Sequence, residues 1–285
     1  MQTYDAGRWL LLATLWSLQF LFLRIAVPVF GAAPAAEARA FLGALFLVPW
    51  VILFARQRIA PLEHWKDYLA LSLVNNVLPF VCYAYAATSL PAGYLAIING
   101  LVPLSAAVIA APVLGERLRG TRIAGFLVGI AGVTLIVNLG PVALNTRTLL
   151  GTAAAVTGAI LWGWAGVMIK QRTGRLPAMG AAGGTIAFAA LLMAPLWIFA
   201  PPPSNWTLEA AAALLGVGLL CSGLAYLPFF SLIRDIGPSR TLTVGLAVPV
   251  LGILWGWLLL GEVVTAPMLV GATLVLAALV LVLRR

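Results

Sequence analysis

Long runs of apolar residues, separated by short polar or proline- and glycine-containing connections, make up most of the chain. Each run has about the 20 residues that an α-helix needs to cross the hydrocarbon core of a bilayer. Ten such runs, called segments 1 to 10 below, cover residues 9–29, 36–55, 68–90, 92–113, 122–139, 149–170, 178–200, 208–231, 239–260 and 266–283. The pattern predicts an all-α membrane protein with ten transmembrane helices.

The composition supports this prediction and excludes soluble classes of protein. Only 9% of the 285 residues are charged and 63% are apolar, whereas soluble domains carry about 25% charged residues. A soluble enzyme or a nucleic-acid-binding protein is therefore excluded, despite the net charge of +9. We expect the lipid bilayer, and no nucleic acid, to be the partner of the basic side chains.

The distribution of basic residues predicts the orientation. Of the 17 Lys and Arg residues, 14 fall in the N-terminal tail, in the connections after even-numbered segments and in the C-terminal tail. Arg24 and Arg39 are interpreted as lying near helix ends. By the positive-inside rule, both termini are predicted to lie in the cytoplasm, with the protein in a bacterial inner membrane.

The chain matches itself at an offset of 146 residues. The offset places Trp16 on Trp162, Arg24 on Lys170, Pro103 on Pro249, Gly115-Glu116 on Gly261-Glu262, and Gly125 on Gly271. Two repeats of five segments, 1–140 and 147–285, are predicted. Because five is odd, the second repeat enters the membrane from the opposite side, an architecture typical of secondary transporters and also found in some channels.

These repeated motifs resemble those of a known superfamily. A Trp followed eight residues later by a base in segments 1 and 6, and a Pro followed twelve residues later by Gly-Glu in segments 4 and 9, resemble the drug/metabolite transporter superfamily, and in particular its ten-helix EamA-type members. The resemblance covers essentially the whole chain. The chain length and the stretch Tyr85-Ala86-Ala87-Thr88 are similar to the YddG-type amino-acid exporters of that group.

The resemblance implies a basket-like fold. Segments 1, 3, 4, 6, 8 and 9 would enclose a central cavity, while segments 5 and 10 would lie at the periphery. It also implies export of amino acids, other metabolites or drugs. Aromatic-amino-acid exporters resemble one another in having aromatic residues shortly before the segment 4 proline. Here that stretch is Asn99-Gly100-Leu101-Val102, so a broad amino-acid range is expected.

Polar side chains in the middle of segments are expected to face inward, because exposing them to lipid is costly. The candidates for a substrate cavity are Trp16, Gln19, Asn75, Asn76, Tyr83, Asn99, Trp162, Ser222 and Tyr226. The repeat offset pairs Asn76 with Ser222, as expected of a central site. Alternatively, the asparagines hydrogen-bond helices together and Trp162 is a packing residue.

Two further groups of residues are candidates for conformational roles. Pro103 and Pro249 each remove a helical hydrogen bond, so kinks are expected there; with Gly245 and Gly252 they are hinge candidates or static kinks. Charged residues at segment ends are Arg24, Lys170, Glu116 and Glu262. The two bases are interpreted as interfacial anchors or, alternatively, as gate or substrate contacts. The two acids are interpreted as helix-terminating or loop-pairing residues.

All acidic residues are placed at segment ends or in loops, and no base is placed centrally. A neutral cavity is therefore predicted, which suits zwitterions or modestly polar metabolites. No metal site, cofactor or catalytic residue is predicted, and the protein is not expected to be an enzyme. The prediction is a monomeric exporter of amino acids or similar small neutral or zwitterionic metabolites that works by alternating access. The alternatives are a drug or other metabolite exporter, a channel and an intramembrane enzyme.

Overall fold

The computed structural model describes residues 3–59, 63–115, 120–139, 142–172, 176–200, 203, 205–236, 241 and 243–283. Within them the chain forms ten helical spans. They are α1 (Thr3–Phe30), α2 (Ala32–Leu53), α3 (Trp65–Ala86), α4 (Ala92–Leu114), α5 (Gly120–Leu139), α6 (Thr146–Arg172), α7 (Ala178–Met193 and Leu196–Phe199), α8 (Leu208–Leu215, Gly216–Leu224 and Tyr226–Ile236), α9 (Val244–Leu260) and α10 (Ala266–Leu283). Eight helices are long and apolar enough to cross a membrane, and α9 and α10 are shorter apolar helices. The predicted all-α membrane fold is confirmed.

Left-handed glycines end the matched helices of the two halves. Gly115 follows α4 with φ 67°, and Gly261 follows α9 with φ 65°. Glycine adopts this conformation without a steric penalty, so it commonly terminates helices. The two ends of the bundle are named from α1: the near end is where α1 begins, and the far end is where α1 finishes.

Helices α5 and α10 pack closely against each other. A Cβ atom on Gly132 would lie 2.8 Å from the carbonyl oxygen of Gly271. Small residues at such crossings let two backbones approach within the membrane, where van der Waals contact is a main source of helix association. The Gly271 position is the repeat equivalent of Gly125, which lies against Ala278 and Val282 on the same pair of helices.

Both α3 and α8 widen into a π-helix near their centres, where regular helices were expected. The π-helical segments are Leu73–Val77 in α3 and Gly216–Leu224 in α8. Under the 146-residue offset, 73–77 falls on 219–223, so the two halves widen at equivalent positions. Single π-turns inside α-helices occur frequently at functional sites, because they change which side chains face the interior.

The discontinuity in α4 lies at Gly100, between Pro103 and the Asn99 carbonyl to which a proline cannot donate a hydrogen bond. Helix α4 consists of Ala92–Asn99 (α4a) and Leu101–Leu114 (α4b). The Gly100 N–H donates to the carbonyl of Ile97 at 2.9 Å, a tighter turn than an α-helical one. Pro103 lies in the first turn of α4b, whereas Pro249 lies inside the uninterrupted α9. The matched prolines thus occupy different local structures.

Candidate functional site

The middle of the bundle contains a group of polar and aromatic side chains that come from both halves of the chain. We call this group the central cluster; its members are Gln19, Arg39, Asn75, Asn76, Tyr83, Trp162, Ser222 and Tyr226. Helices α1, α2 and α3 contribute the first five, and α6 and α8 contribute the last three.

Arg39 connects three helices at the centre of this cluster. Its side chain is buried, with the residue only 4% exposed. Nε donates to the Ser222 hydroxyl at 2.8 Å, and Nη2 donates to Oε1 of Gln19 at 2.7 Å. Because hydrogen bonds from a charged donor are stronger than neutral ones, they hold the guanidinium in a defined position between α1, α2 and α8.

Aromatic rings surround the rest of the guanidinium. Its central carbon lies 3.9 Å from the ring centroid of Phe80 and 5.9 Å from that of Trp162, both within the range of cation–π contact. The Nη1 atom is enclosed and has no hydrogen-bond partner among the described residues. None of the ion pairs formed by the described residues includes Arg39. Within the described part of the chain, the charge is therefore held by hydrogen bonds and rings and not by an ion pair with a carboxylate.

A close approach of α2 to α8 brings Arg39 to Ser222. Gly43 lies one turn after Arg39, and a Cβ atom there would be 3.2 Å from the Cβ of Ser222. Arg39 itself is seven residues into α2, about 10 Å along the helix axis from Ala32. That depth places its side chain well inside the bundle.

The π-helical segment of α3 exposes a carbonyl group that α6 uses. Trp162 Nε1 donates to the backbone oxygen of Asn75 at 2.8 Å. In a regular helix that oxygen would accept from residue 79, which is a proline and has no N–H. The Trp162 ring also stacks on Tyr83, with centroids 4.7 Å apart and planes 21° apart. Gly158 makes room for this stack, because a Cβ there would lie 2.9 Å from the Tyr83 ring.

The amide and phenol groups of the cluster interact weakly with one another. The Tyr83 hydroxyl lies 3.5 Å from Oδ1 of Asn99, and Asn75 Nδ2 lies 3.4 Å from Oδ1 of Asn76. The Tyr226 phenol interacts with the side chains of both Asn75 and Asn76. Asn76 Nδ2 is buried and has no hydrogen-bond partner within the described ranges. Long or missing hydrogen bonds leave these groups with unused capacity to bind a ligand.

Trp16, the repeat equivalent of Trp162, lies beside this cluster. Its ring packs against Phe229 of α8 at a centroid distance of 5.1 Å. Its backbone oxygen accepts from Nε2 of Gln19 at 2.7 Å, which orients the Gln19 amide so that its oxygen meets Arg39. The backbone carbonyl of Trp16 thus positions Gln19, while the Trp16 ring packs against α8.

The predicted helix-end charges have separate positions. Arg24 Nη1 donates to the carbonyl of Ala87 at 3.1 Å, which joins α1 to α3 at the far end. Lys170 is exposed near the end of α6. Glu262 caps α4: Oε1 lies 2.7 Å from the Ala92 nitrogen and Oε2 lies 3.1 Å from the Gly93 nitrogen. Glu116 lies outside the described residues.

The hinge candidates lie where α4 and α9 cross. A Cβ on Gly245 would be 3.9 Å from Cγ of Pro103, so the matched prolines are on neighbouring stretches of the two helices. Gly252 faces Ala96 of α4a so closely that a Cβ there would overlap the Ala96 side chain. Helix α4a therefore packs tightly on the far half of α9.

Two charged residues in α2 contradict the prediction of a neutral interior. Arg39 was assigned to a helix end, but it is the basic centre of the cluster. Glu37 is also inside α2, where it is 2% exposed, and its Oε2 has no hydrogen-bond partner in the described part of the structure. The prediction failed because segment 2 was started at residue 36, whereas α2 begins at Ala32. The additional turn moves both residues inward.

Comparison with known sequences identifies the family. The profile of the EamA-like transporter family matches residues 8–138 and, separately, residues 149–284. The chain belongs to the EamA-like transporter family. As a family member it is an integral multi-pass membrane transporter of small molecules and is not an enzyme, as expected from the sequence. The duplicate match also agrees with the internal repeat.

Relatives extend over most of the chain. It is 27% identical over 241 residues to the "Uncharacterized transporter YoaV" of Bacillus subtilis, covering 83% of this chain and 82% of that protein. It is 26% identical over 285 residues to a "Probable terminal-alkyne amino-acid exporter" of Streptantibioticus cattleyicolor, covering 97% of this chain and 93% of that protein. A solved crystal structure matches with a TM-score of 0.68 at 21% identity, covering 99% of this chain and 96% of that one, which supports the fold alone.

Proposed function

We propose that this EamA-family transporter exports amino acids, or similarly small zwitterionic metabolites, by alternating access. The observation that supports the proposal is the central cluster, which draws side chains from both halves and to which two repeat-related π-helical segments contribute Asn75, Asn76 and Ser222. Among the relatives, the Streptantibioticus cattleyicolor protein carries the name of an amino-acid exporter.

The polar groups of the cluster suit a molecule that carries both charges. Inside a membrane protein, each charge of a zwitterion needs hydrogen-bond partners to replace water. The Arg39 guanidinium can donate to an anionic group. The side-chain oxygens of Asn75 and Asn76, and that of Asn99 beside the cluster, can accept from an ammonium group. Phe80, Trp162 and Tyr83 provide an apolar environment for a side chain.

The architecture supports transport across an inner membrane by one polypeptide. Each half contributes five helices, so the halves cross the membrane in opposite directions and can exchange conformations. We propose that 1–140 and 147–285 are the two structural repeats and that both termini lie in the cytoplasm. The central cluster draws on both repeats of the same polypeptide, and we propose that the monomer is the transporting unit.

Counterflow in proteoliposomes tests the proposed function. Liposomes are loaded with one unlabelled amino acid at a time, and uptake of its radiolabelled form is followed against unloaded liposomes. We expect loading to accelerate uptake for several aliphatic or aromatic amino acids. Uptake that does not depend on loading would indicate a channel. Failure of all amino acids, together with exchange of a cationic drug, would replace the proposal with drug export.

A further inference from the structure

The Arg39 guanidinium has donor groups that the protein does not use. An arginine carries five N–H bonds. Nε donates to Ser222 and Nη2 donates to Gln19, while Nη1 is buried and has no partner in the part of the chain that the structure describes. Buried polar groups are nearly always hydrogen-bonded, because an enclosed donor without an acceptor is costly. The unused N–H groups therefore indicate a missing acceptor.

Among the residues that the structure describes, the charge of Arg39 is also not paired with an anion. Burying a cation inside a membrane protein is unfavourable unless an opposite charge lies beside it. Glu37 is close in sequence, but it forms no ion pair with Arg39 among those of the described residues. A bound anion would supply both the missing acceptor and the missing charge.

We infer that Arg39 binds the carboxylate of the transported molecule through Nη1 and the unused N–H of Nη2. The inference rests on the proposed function, because it assigns the central cluster to substrate. Ser222 and Gln19 accept hydrogen bonds from Nε and Nη2 along one edge of the guanidinium. The remaining N–H groups of Nη1 and Nη2 form a pair of donors, the fork, at its end. Two parallel N–H groups at this spacing match the two oxygens of a carboxylate.

The surroundings favour a carboxylate over a more highly charged group. A phosphate monoester carries up to two negative charges, and Arg39 is the one basic side chain in the central cluster as defined above. A single positive charge balances one carboxylate. Phe80 lies over the guanidinium at 3.9 Å, so a ligand approaches within the plane of the fork. Because Nη1 is enclosed in this conformation, the carboxylate reaches it when the bundle opens.

A purely structural role for Arg39 makes a different prediction. In that case the guanidinium only ties α1, α2 and α8 together through Gln19 and Ser222, and the ligand's carboxylate is irrelevant to affinity. Chemical variation of the ligand, with the protein unchanged, separates the two roles without any risk of misfolding.

The experiment uses four ligands that share one branched alkyl chain. L-leucine carries both charged groups, L-leucinamide lacks the carboxylate, 4-methylpentanoate lacks the ammonium group, and 3-methylbutylamine lacks the carboxylate. Dissociation constants are measured calorimetrically on the purified full-length protein in detergent micelles, and each compound also competes in leucine counterflow. We expect leucine and 4-methylpentanoate to bind about tenfold or more tightly than the amide and the amine.

Variants connect this selectivity to Arg39. Arg39→Gln removes the charge and should abolish the preference for a carboxylate over an amide. Arg39→Lys keeps the positive charge but lacks the two parallel N–H donors, so it should retain part of the preference for a carboxylate. Arg147→Gln is the control, because Arg147 is an exposed base at the start of α6; it should behave as the unmodified protein. If the Arg39 variants do not fold, the four-ligand comparison on the unmodified protein still tests whether the ligand's carboxylate contributes to affinity.

The outcomes distinguish this inference from the proposed function. Equal binding of leucine and leucinamide by the unmodified protein would overturn the role of Arg39, while leucine exchange would preserve the proposed function. Arg39-dependent binding of 4-methylpentanoate without exchange of any amino acid would support the carboxylate site and overturn amino-acid export. Binding of none of the four ligands, without exchange of any other amino acid, would overturn both.

Discussion

The carboxylate of Glu262, just after α9, caps the helix that begins at Ala92. Its two oxygens lie 2.7 Å from the Ala92 nitrogen and 3.1 Å from the Gly93 nitrogen. The first N–H groups of a helix have no partner within the helix, and the helix dipole favours a negative charge there. Glu262 satisfies both requirements from the other half of the chain, at the far end of the bundle.

Removing this carboxylate should destabilise the protein. We expect Glu262→Ala to lower the free energy of unfolding by about 1–2 kcal/mol, as for the loss of a helix cap and a charged hydrogen bond. Glu262→Gln keeps an acceptor oxygen without the charge and should have a smaller effect. Unfolding of the purified protein in detergent by a denaturing detergent or by heat measures both changes.

Glu63→Ala is the matched control for this experiment. Glu63 is an exposed acid before α3, and its removal should change stability by no more than about 0.5 kcal/mol. If Glu262→Ala and Glu63→Ala unfold identically, the capping contact contributes nothing to stability.

The indole of Trp162 should matter for transport beyond its contribution to packing. Trp162→Phe keeps an aromatic ring beside Tyr83 but removes the Nε1 donor to the Asn75 carbonyl. We expect stability to fall by about 1 kcal/mol, the usual contribution of one hydrogen bond. Counterflow should fall more strongly, because the π-helical segment that carries Asn75 and Asn76 loses its anchor on α6.

Trp164→Phe separates the cluster contact from a general requirement for tryptophan in α6. Trp164 is 43% exposed and lies two residues further along the same helix. This variant should transport at the unmodified rate. Equal losses of transport in the two variants would show that Trp162 has no role beyond packing.

The repeat and the helices could be predicted from sequence because their signals are local or strictly ordered. An apolar run of membrane-spanning length has few alternatives to a helix. The offset of 146 residues also pairs Gly115 with Gly261, and these adopt nearly the same left-handed conformation. The predicted depth of a residue along its helix was less reliable. Because segment 2 was started four residues after the true start of α2, Arg39 was placed near a helix end.

The partners inside the cluster could not be predicted, because they are distant in sequence. Arg39 and Ser222 are 183 residues apart, and Trp162 and Asn75 are 87 apart. Hydropathy shows that a residue is in a membrane segment, but it does not show which helix its side chain faces. Pro79 was a usable local signal for the π-helical segment, since it leaves the Asn75 carbonyl without its usual donor.

The proposed orientation gives a direct labelling prediction. Thr146 begins α6 at the far end of the bundle, and Gln171 lies near its other end; both are exposed. With Cys82 and Cys221 replaced by alanine, a cysteine at Thr146 should react with an impermeant maleimide added to intact cells. A cysteine at Gln171 should react only after permeabilisation. The opposite pattern would invert the proposed topology.

Because the local structures at the two matched prolines differ, we expect substitutions at them to shift the equilibrium between the two conformational states in opposite directions. Helix α4 is interrupted before Pro103, while α9 continues through Pro249. If the inverted halves exchange conformations during transport, α4 is continuous and α9 is interrupted in the other state. Proline inside a helix costs about 3 kcal/mol, so restoring the N–H favours whichever state has that helix continuous.

Pro249→Ala should therefore favour the present state, in which α4a is packed on the far half of α9. Pro103→Ala should favour the other state, in which that contact opens. Helix α6 contacts α4a, so spin labels at Leu149 of α6 and at Val263 after α9, which are 52% and 69% exposed at the far end, report the distance between the α4a side of the bundle and the end of α9 by double electron–electron resonance. We expect more short distances for Pro249→Ala and more long distances for Pro103→Ala.

Pro112→Ala is the control for these two variants, because Pro112 lies near the end of α4b and its repeat equivalent is Leu258. It should leave the distance distribution unchanged. Only a substitution that acts differently on the two states can shift their populations. Opposite shifts from Pro103→Ala and Pro249→Ala would thus identify the prolines as part of the conformational switch. Shifts in the same direction, or none, would show that both prolines are static features of the helices.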